Sequence, residues 1–323
     1  MKNMLLIAAA LVMTACTQQP STSGKYEALS PAAAPAATNV ETIAAELVAS
    51  DKTWGNTEGP TFDSKNNLYF CARGTYKGII KWNEKEGAKP WLVVATKEGP
   101  GGLWADDKDN IYLTAIGERQ ILMVTPGKKI SVVAKDFEAN AKLPTGPNDL
   151  VVAKNGTIYF TDPNGFHGEA PNGTVYRVSG GKTTIFSDGF TGPNGIILSQ
   201  DEKTLYASHN TGPSTSKIER FPLKGDGSAG PMSELVTVPD CVADGIAMDR
   251  EGSVWLTCYS FGAAYRISPE GKIQQKIATE QKAVTNCKFG RGALSNVLFL
   301  TSSDMERVTG YVYRAKLSVP GIR

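Results

Sequence analysis

The chain has 323 residues, 41% of them hydrophobic, and its 34 basic and 32 acidic residues leave a formal charge of +2. So even a balance shows no electrostatic footprint for nucleic acid, and a small-molecule ligand is expected instead. With 33 glycines, 18 prolines and no long apolar-periodic segment beyond the N-terminus, the composition argues against a helical bundle and for a turn-rich, strand-rich protein.

Residues 1–16 read as an export signal. Lys2 supplies the positive start, residues 4–13 the short apolar run, and Met13-Thr14-Ala15-Cys16 the small-residue cleavage region. The run is too short to span a bilayer as a permanent helix. A cysteine directly after the small residues resembles the bacterial lipoprotein signal, which implies lipidation of Cys16 and a membrane held through a lipid anchor. By the same analogy Gln18, in place of an acidic residue, favours a lipoprotein of the outer membrane that faces the periplasm of the cell envelope. Residues 17–41, rich in Ala, Pro, Ser, Thr and Gln, read as a flexible tether, and residues 42–323 as the folded part.

The folded part repeats one unit, clearest in ADGIAMDREGSVWLT at residues 243–257: an oxygen-bearing residue, a small apolar run, a turn with Gly252, and the alternating strand Val254-Trp255-Leu256. Two further strands follow each copy. They are expected at residues 78–82 and 91–95, 120–124 and 130–134, 173–177 and 184–187, 217–221 and 234–238, and 264–267 and 273–277. The sixth copy stops one strand short, at residues 310–314, while Ala45-Glu46-Leu47-Val48-Ala49 stands unpaired before the first. Four strands per repeat of roughly 40 to 48 residues is the signature of a propeller blade. The expected fold is therefore all-β, a six-bladed β-propeller of four antiparallel strands per blade. Its last blade is closed by the N-terminal strand, so that no sheet edge is left open.

Measured back from the aromatic of the second strand, Asp244 lies eleven positions before Trp255. The same ruler leads from Tyr69 to Glu58, from Tyr112 to Gly101 and from Tyr159 to Asn148. With longer turns it leads from Tyr206 to Asn194 and from Phe299 to about Thr285. Equivalent loops of a propeller meet at one mouth of the axial channel, so Glu58, Asn148, Asn194 and Asp244 are expected to converge there. Hard oxygen donors without His or Cys favour Ca2+ over Zn2+, with Mg2+ and Mn2+ as further alternatives. Asn194-Gly195 and Asp244-Gly245 also read as turns, but Glu58, a poor turn former, falls at the same register.

Cys71, Cys241, Cys258 and Cys287 lack zinc-site spacing; buried thiols or one disulfide are expected, with the pairing open. Of the two histidines, His209 follows the second strand of the fourth unit and is a candidate for lining the substrate cavity, whereas His167 sits in a Gly-rich loop. Asp162, in a Thr-Asp-Pro turn, reads as a structural cap.

EGP at Glu58, PND at Asn148-Asp149 followed by Tyr159-Phe160-Thr161-Asp162-Pro163, PNG at Asn194 and DGIAMDREGSVWLTCY at Asp244 resemble the gluconolactonase, senescence marker protein and luciferin-regenerating enzyme family. The resemblance runs over residues 45–317. It implies a six-bladed propeller with a divalent cation, usually calcium, held by Glu58, Asn148, Asn194 and Asp244. It also implies a catalytic acid/base or nucleophilic role for the motif of Asp244. Many members carry a tryptophan-containing stretch after EGP, where this chain has Thr61-Phe62. Members that bind sugar lactones use an Arg and a polar residue from a loop of the second blade; Arg119 or Glu118 answers to that description.

The implied activity is gluconolactonase-like hydrolysis of a lactone. The cation polarises the carbonyl, and a carboxylate activates water: Asp244, or Asp149 beside a ligand. A carboxylate bound directly to a dication is a weakened base, which keeps Asp149 in contention. The alternatives are a phosphotriesterase-like hydrolase and a non-catalytic propeller that binds a ligand or protein. A monomer is expected.

Overall fold

A computed structural model describes residues 40–137, 146–164 and 172–322. The signal with Cys16, most of the tether and His167 lie outside the described residues. Two strands, β1 (Glu41–Ala44) and β2 (Glu46–Asp51), come first. Blade 1 follows with β3 (Thr57–Phe62), β4 (Leu68–Arg73), β5 (Lys77–Asn83) and β6 (Gly87–Val93). Blade 2 has β7 (Pro100–Ala105), β8 (Ile111–Ala115), β9 (Gln120–Val124) and β10 (Ile130–Ala134). Blade 3 has β11 (Leu150–Val152), β12 (Ile158–Asp162), β13 (Gly173–Ser179) and β14 (Lys182–Phe190). Blade 4 has β15 (Ile196–Leu198), β16 (Thr204–Gly212), β17 (Thr215–Pro222) and β18 (Ser233–Pro239). Blade 5 has β19 (Val242–Met248), β20 (Val254–Tyr259), β21 (Ala263–Ile267) and β22 (Ile273–Ala278). Blade 6 has β23 (Ala283–Phe289), β24 (Val297–Ser303) and β25 (Gly310–Lys316).

The fourth strand of blade 6 is β2, antiparallel to β25 from Glu46↔Arg314 to Asp51↔Gly310. Both ends of the ring thus share one sheet, and backbone groups that would form an open edge are paired. Among the described residues β1 has no counterpart in another blade. It extends the outer edge of blade 5 in parallel with β22, Glu41↔Gln275 through Ala44↔Ala278, and the chain crosses to blade 6 at Ala45. β6 starts earlier than its apolar run suggests because Asn83 pairs with Gly87, a tight hairpin whose Gly87 has φ +67°. Pro90 is tolerated there because β6 is the outer edge of its sheet.

Burial explains why six weak sheets make one stable ring. Each of six apolar clusters is built from two adjacent blades, and the Phe62, Phe70, Phe299 and Val312 cluster joins blade 6 to blade 1. No blade has a core of its own, so each is held by its two neighbours. The first strands, β3, β7, β11, β15, β19 and β23, contact one another in a closed cycle and line the axis. Trp104 on β7 packs against three of the inter-blade clusters and fills that axis toward one end.

Candidate functional site

The ruler read along the chain corresponds to a constant register. In every blade the residue three positions after the ruler position pairs with the aromatic anchor: Thr61 with Tyr69, Trp104 with Tyr112, Val151 with Tyr159, Ile197 with Tyr206, Ala247 with Trp255 and Lys288 with Phe299. Thr285 is therefore the sixth equivalent position. Glu58, Asn148, Asn194 and Asp244, each buried with 5–7% of its surface exposed, line one cavity of about 180 Å³ at the end of the axis away from Trp104. Asn56, Arg73, Asn210, Tyr259, Thr285 and Arg307 complete its polar wall.

A hydroxyl belt holds these positions in place. Two residues after each anchor stand Cys71, Thr114, Thr161, Ser208, Thr257 and Thr301. Five of them donate to the main-chain carbonyl of the ruler residue in the next blade: Cys71 Sγ to Gly101, Thr114 Oγ1 to Asn148, Thr161 Oγ1 to Asn194, Ser208 Oγ to Asp244 and Thr257 Oγ1 to Thr285, at 2.6–2.9 Å. The ring closes through Thr285 Oγ1, which donates to Thr57 O at 2.7 Å with Thr301 Oγ1 2.9 Å away. These bonds satisfy buried carbonyls and fix each cavity residue from the neighbouring blade. The Cys71 thiol serves as one link of the belt.

One position further along each first strand, the axis narrows. Gly59, Gly102, Gly195 and Gly245 occupy four of the six places, and Asp149 and Asn286 the other two. A Cβ on Gly102 would lie 2.3 Å from Asp149 Oδ1, and one on Gly245 would lie 2.0 Å from Asn286 Oδ1. The glycines make room for the two polar side chains. Asn286 Nδ2 donates to Asp149 Oδ2 at 2.8 Å and to Glu58 Oε2 at 3.3 Å, and Gly59 N donates to the same Glu58 oxygen at 3.0 Å.

Three carboxyls are thus crowded into a dry place. Burial raises the pKa of Glu58, with Arg73 and its hydrogen bonds opposing. Burial and then the Glu58 charge push Asp149 up to about 8. Asp244 is driven well above the usual carboxylate range by burial, Glu58 and Asp149, with the Asn194 amide and Arg307 opposing. Such a cluster of buried carboxyls, each costly to ionise beside the others, is what a hard divalent cation relieves. Among the described residues no three His, Cys, Asp or Glu side chains form a ligand group by themselves; the donors here are carboxylates mixed with amides.

The other expected residues lie elsewhere. Arg119 is ion-paired with Asp162 and sits 5.0 Å over the Phe137 ring, so it is committed to a blade 2–blade 3 contact. Glu118 Oε1 accepts from Lys97 N at 2.8 Å. His209 does not line the cavity: its Nε2 lies 3.4 Å from Glu219 Oε1, and its ring meets Phe190 edge-on. Period 2 is the reason, because the neighbouring residue, Asn210, is the one that faces the mouth. Asp149 lies in the layer beneath the cavity wall. Cys241 and Cys258 form a disulfide beside Asp244, and Cys71 and Cys287 are buried free thiols.

Asn286, Arg73 and Tyr259 carried a signal in the repeat. Asn286 is the sixth-blade equivalent of Asp149, and Arg73, Asn210 and Tyr259 all stand four positions after an anchor. Arg307, in the β24–β25 connection, carried none.

A larger hollow of about 810 Å³ lies between β10 and β14, with Val132 and Ile185 in its wall; the converging polar groups are not there.

Comparison with known proteins matches residues 56–304 to the family described as SMP-30/Gluconolactonase/LRE-like region. A gluconolactonase from Zymomonas mobilis is 26% identical over 290 residues, covering 80% of this chain and 78% of that protein. A regucalcin from Gallus gallus is 23% identical over 271 residues, covering 82% and 89%. The solved structure of a gluconolactonase from Xanthomonas campestris superposes with a TM-score of 0.67 at 25% identity, covering 84% of this chain and 87% of that one.

Proposed function

The chain belongs to the SMP-30/gluconolactonase/LRE-like family, and from that premise we propose that it is a divalent-cation-dependent hydrolase of lactones. The observation that carries the proposal is the convergence of Glu58, Asn148, Asn194 and Asp244, from four separate blades, on one cavity crowded with buried carboxyls that are costly to ionise without a cation.

Glu58, Asn148, Asn194 and Asp244 would hold the cation, with Ca2+ the best match to hard carboxylate and amide oxygens in a mixed set. Bound there, it supplies Lewis-acid polarisation of the lactone carbonyl. The chain's own groups do the rest. Asp244, which faces the cavity, takes a proton from the water that attacks the carbonyl carbon. The same carboxyl returns that proton to the ring oxygen as the acyl C–O bond breaks, giving the open-chain hydroxy acid. In the metal-free fold, burial and then its two acidic neighbours raise the proton affinity of Asp244. Asp149, beneath the cavity wall, is a positioning residue: it anchors Asn286, which in turn holds Glu58.

The proposal includes export as a lipoprotein anchored at Cys16 and action as a monomer in the cell envelope. A disulfide, Cys241–Cys258, supports an oxidising compartment. Labelling with a radioactive fatty acid, lost in Cys16→Ser, tests the anchor.

The activity is tested by assaying a panel of lactones with and without chelator. Hydrolysis should vanish in EDTA and return with calcium, and Asp244→Asn should lower kcat by roughly 10²- to 10⁴-fold. Turnover indifferent to both treatments overturns the proposal.

A further inference from the structure

The hydrolase reading uses two charged cavity residues only as positive charges near Glu58 and Asp244. Arg73, at the end of β4, and Arg307, in the β24–β25 connection, both line the cavity. They stand close together, on the blade 1–blade 6 side of the mouth. Gly55 lies between their segments, and a Cβ on it would be 2.6 Å from Gly74 Cα and 3.1 Å from Arg307 O. Each guanidinium is held by its Nε: Arg73 donates to Glu98 O at 3.2 Å, and Arg307 donates to Tyr259 OH at 3.1 Å while resting 5.5 Å over that ring. That leaves the terminal nitrogens of both forks for another acceptor. Neither arginine forms an ion pair with a carboxylate among the described residues.

Charge balance says what that acceptor is. A bound divalent cation would cancel the charges of Glu58 and Asp244, and Asp149 beneath them accepts a hydrogen bond from Asn286. The two guanidiniums then remain as positive charge at the mouth of the small cavity, Arg73 half-buried and Arg307 exposed. Lysines could supply charge, but paired arginines present planar forks suited to a multi-oxygen anion. Resting on the lactonase reading, we propose that the substrate is a lactone carrying an anionic substituent, a carboxylate, phosphate or sulfonate, and that Arg73 and Arg307 select it.

The test compares a neutral aldonolactone with lactones bearing a terminal carboxylate, phosphate or sulfonate, each assayed separately with calcium present. The preferred anionic lactone should exceed the neutral one in kcat/KM by roughly 10- to 100-fold. In Arg73→Gln and Arg307→Gln that ratio should fall toward one, and Arg73→Lys should keep part of it; far-UV circular dichroism checks that each variant is folded. Calorimetric binding of the corresponding open-chain acids gives a readout independent of turnover, and the extra anionic group should strengthen binding only where both arginines are present. Equal turnover and equal binding of neutral and anionic compounds overturn the assignment and leave the lactonase intact. If no lactone is turned over, the lactonase reading fails, and unchanged binding of the anionic acids in Arg73→Gln then removes the anion subsite as well. Should the variants alter only calcium affinity, the arginines serve to balance Glu58 and Asp244, and the assignment is wrong.

Discussion

Removing the charge of Glu58 should move stability in opposite directions with and without the cation. Glu58 Oε2 and Asp149 Oδ2 lie 3.3 and 2.8 Å from the same Asn286 nitrogen, so they are no further apart than about 6 Å, where two unit charges repel by about 3 kcal/mol at an effective dielectric constant of about 20. In the metal-free fold Asp149 holds its proton up to about pH 8, whereas in the unfolded chain it releases it near its ordinary value of 3.8. The native state then binds more protons than the unfolded one, so metal-free stability falls as pH rises from about 4 to about 8. Glu58→Gln removes one source of that rise. Urea denaturation in EDTA at pH 9 should find the variant more stable than the parent by about 3 kcal/mol, with the difference shrinking as the pH falls, because burial raises the pKa of Glu58 and it takes up a proton more readily than an exposed carboxylate. Calcium at a hundred times the parent's dissociation constant adds about 2.7 kcal/mol to the parent and much less to the variant. A variant no more stable than its parent in EDTA at pH 9, or stabilised equally by calcium, would refute the reasoning.

Three further outcomes follow from the belt and the disulfide. Thr161→Val strips the hydroxyl that joins Asp149 N to Asn194 O, so it should cost about 1–3 kcal/mol in chemical denaturation and weaken calcium binding measured by calorimetry. Cys71→Ser, which can restore the same bond to Gly101 O, should stay within about 1 kcal/mol of the parent in the same assay. The double variant Cys241→Ser, Cys258→Ser opens a covalent loop of sequence separation 17 and should lose about 3 kcal/mol, with calcium affinity reduced because the bridge braces the strand of Asp244.

The ring and its centre were legible in the amino-acid order because a propeller is one solution used six times. A residue's place in the unit determines both the pleat face it takes and its distance from the axis, so counting back from Tyr69, Tyr159, Tyr206 and Trp255 was enough to bring Glu58, Asn148, Asn194 and Asp244 to one cavity. The same counting could have found the glycine layer that admits Asp149 and Asn286. Contacts that break the repeat were not legible. Arg119 turns to Asp162 because burial leaves that carboxylate costly without a partner, and nothing in the local sequence around either residue names the other. Cys241 is bonded to Cys258 because Ala243 pairs with Cys258 across the β19–β20 ladder, a register that spacing alone leaves among three possible pairings. β1 joins blade 5 and Arg307 reaches the mouth for the same reason: each occupies space defined by other blades. Periodicity along the chain encodes what every blade shares, whereas the departures depend on which distant groups are left needing a partner once the ring has closed.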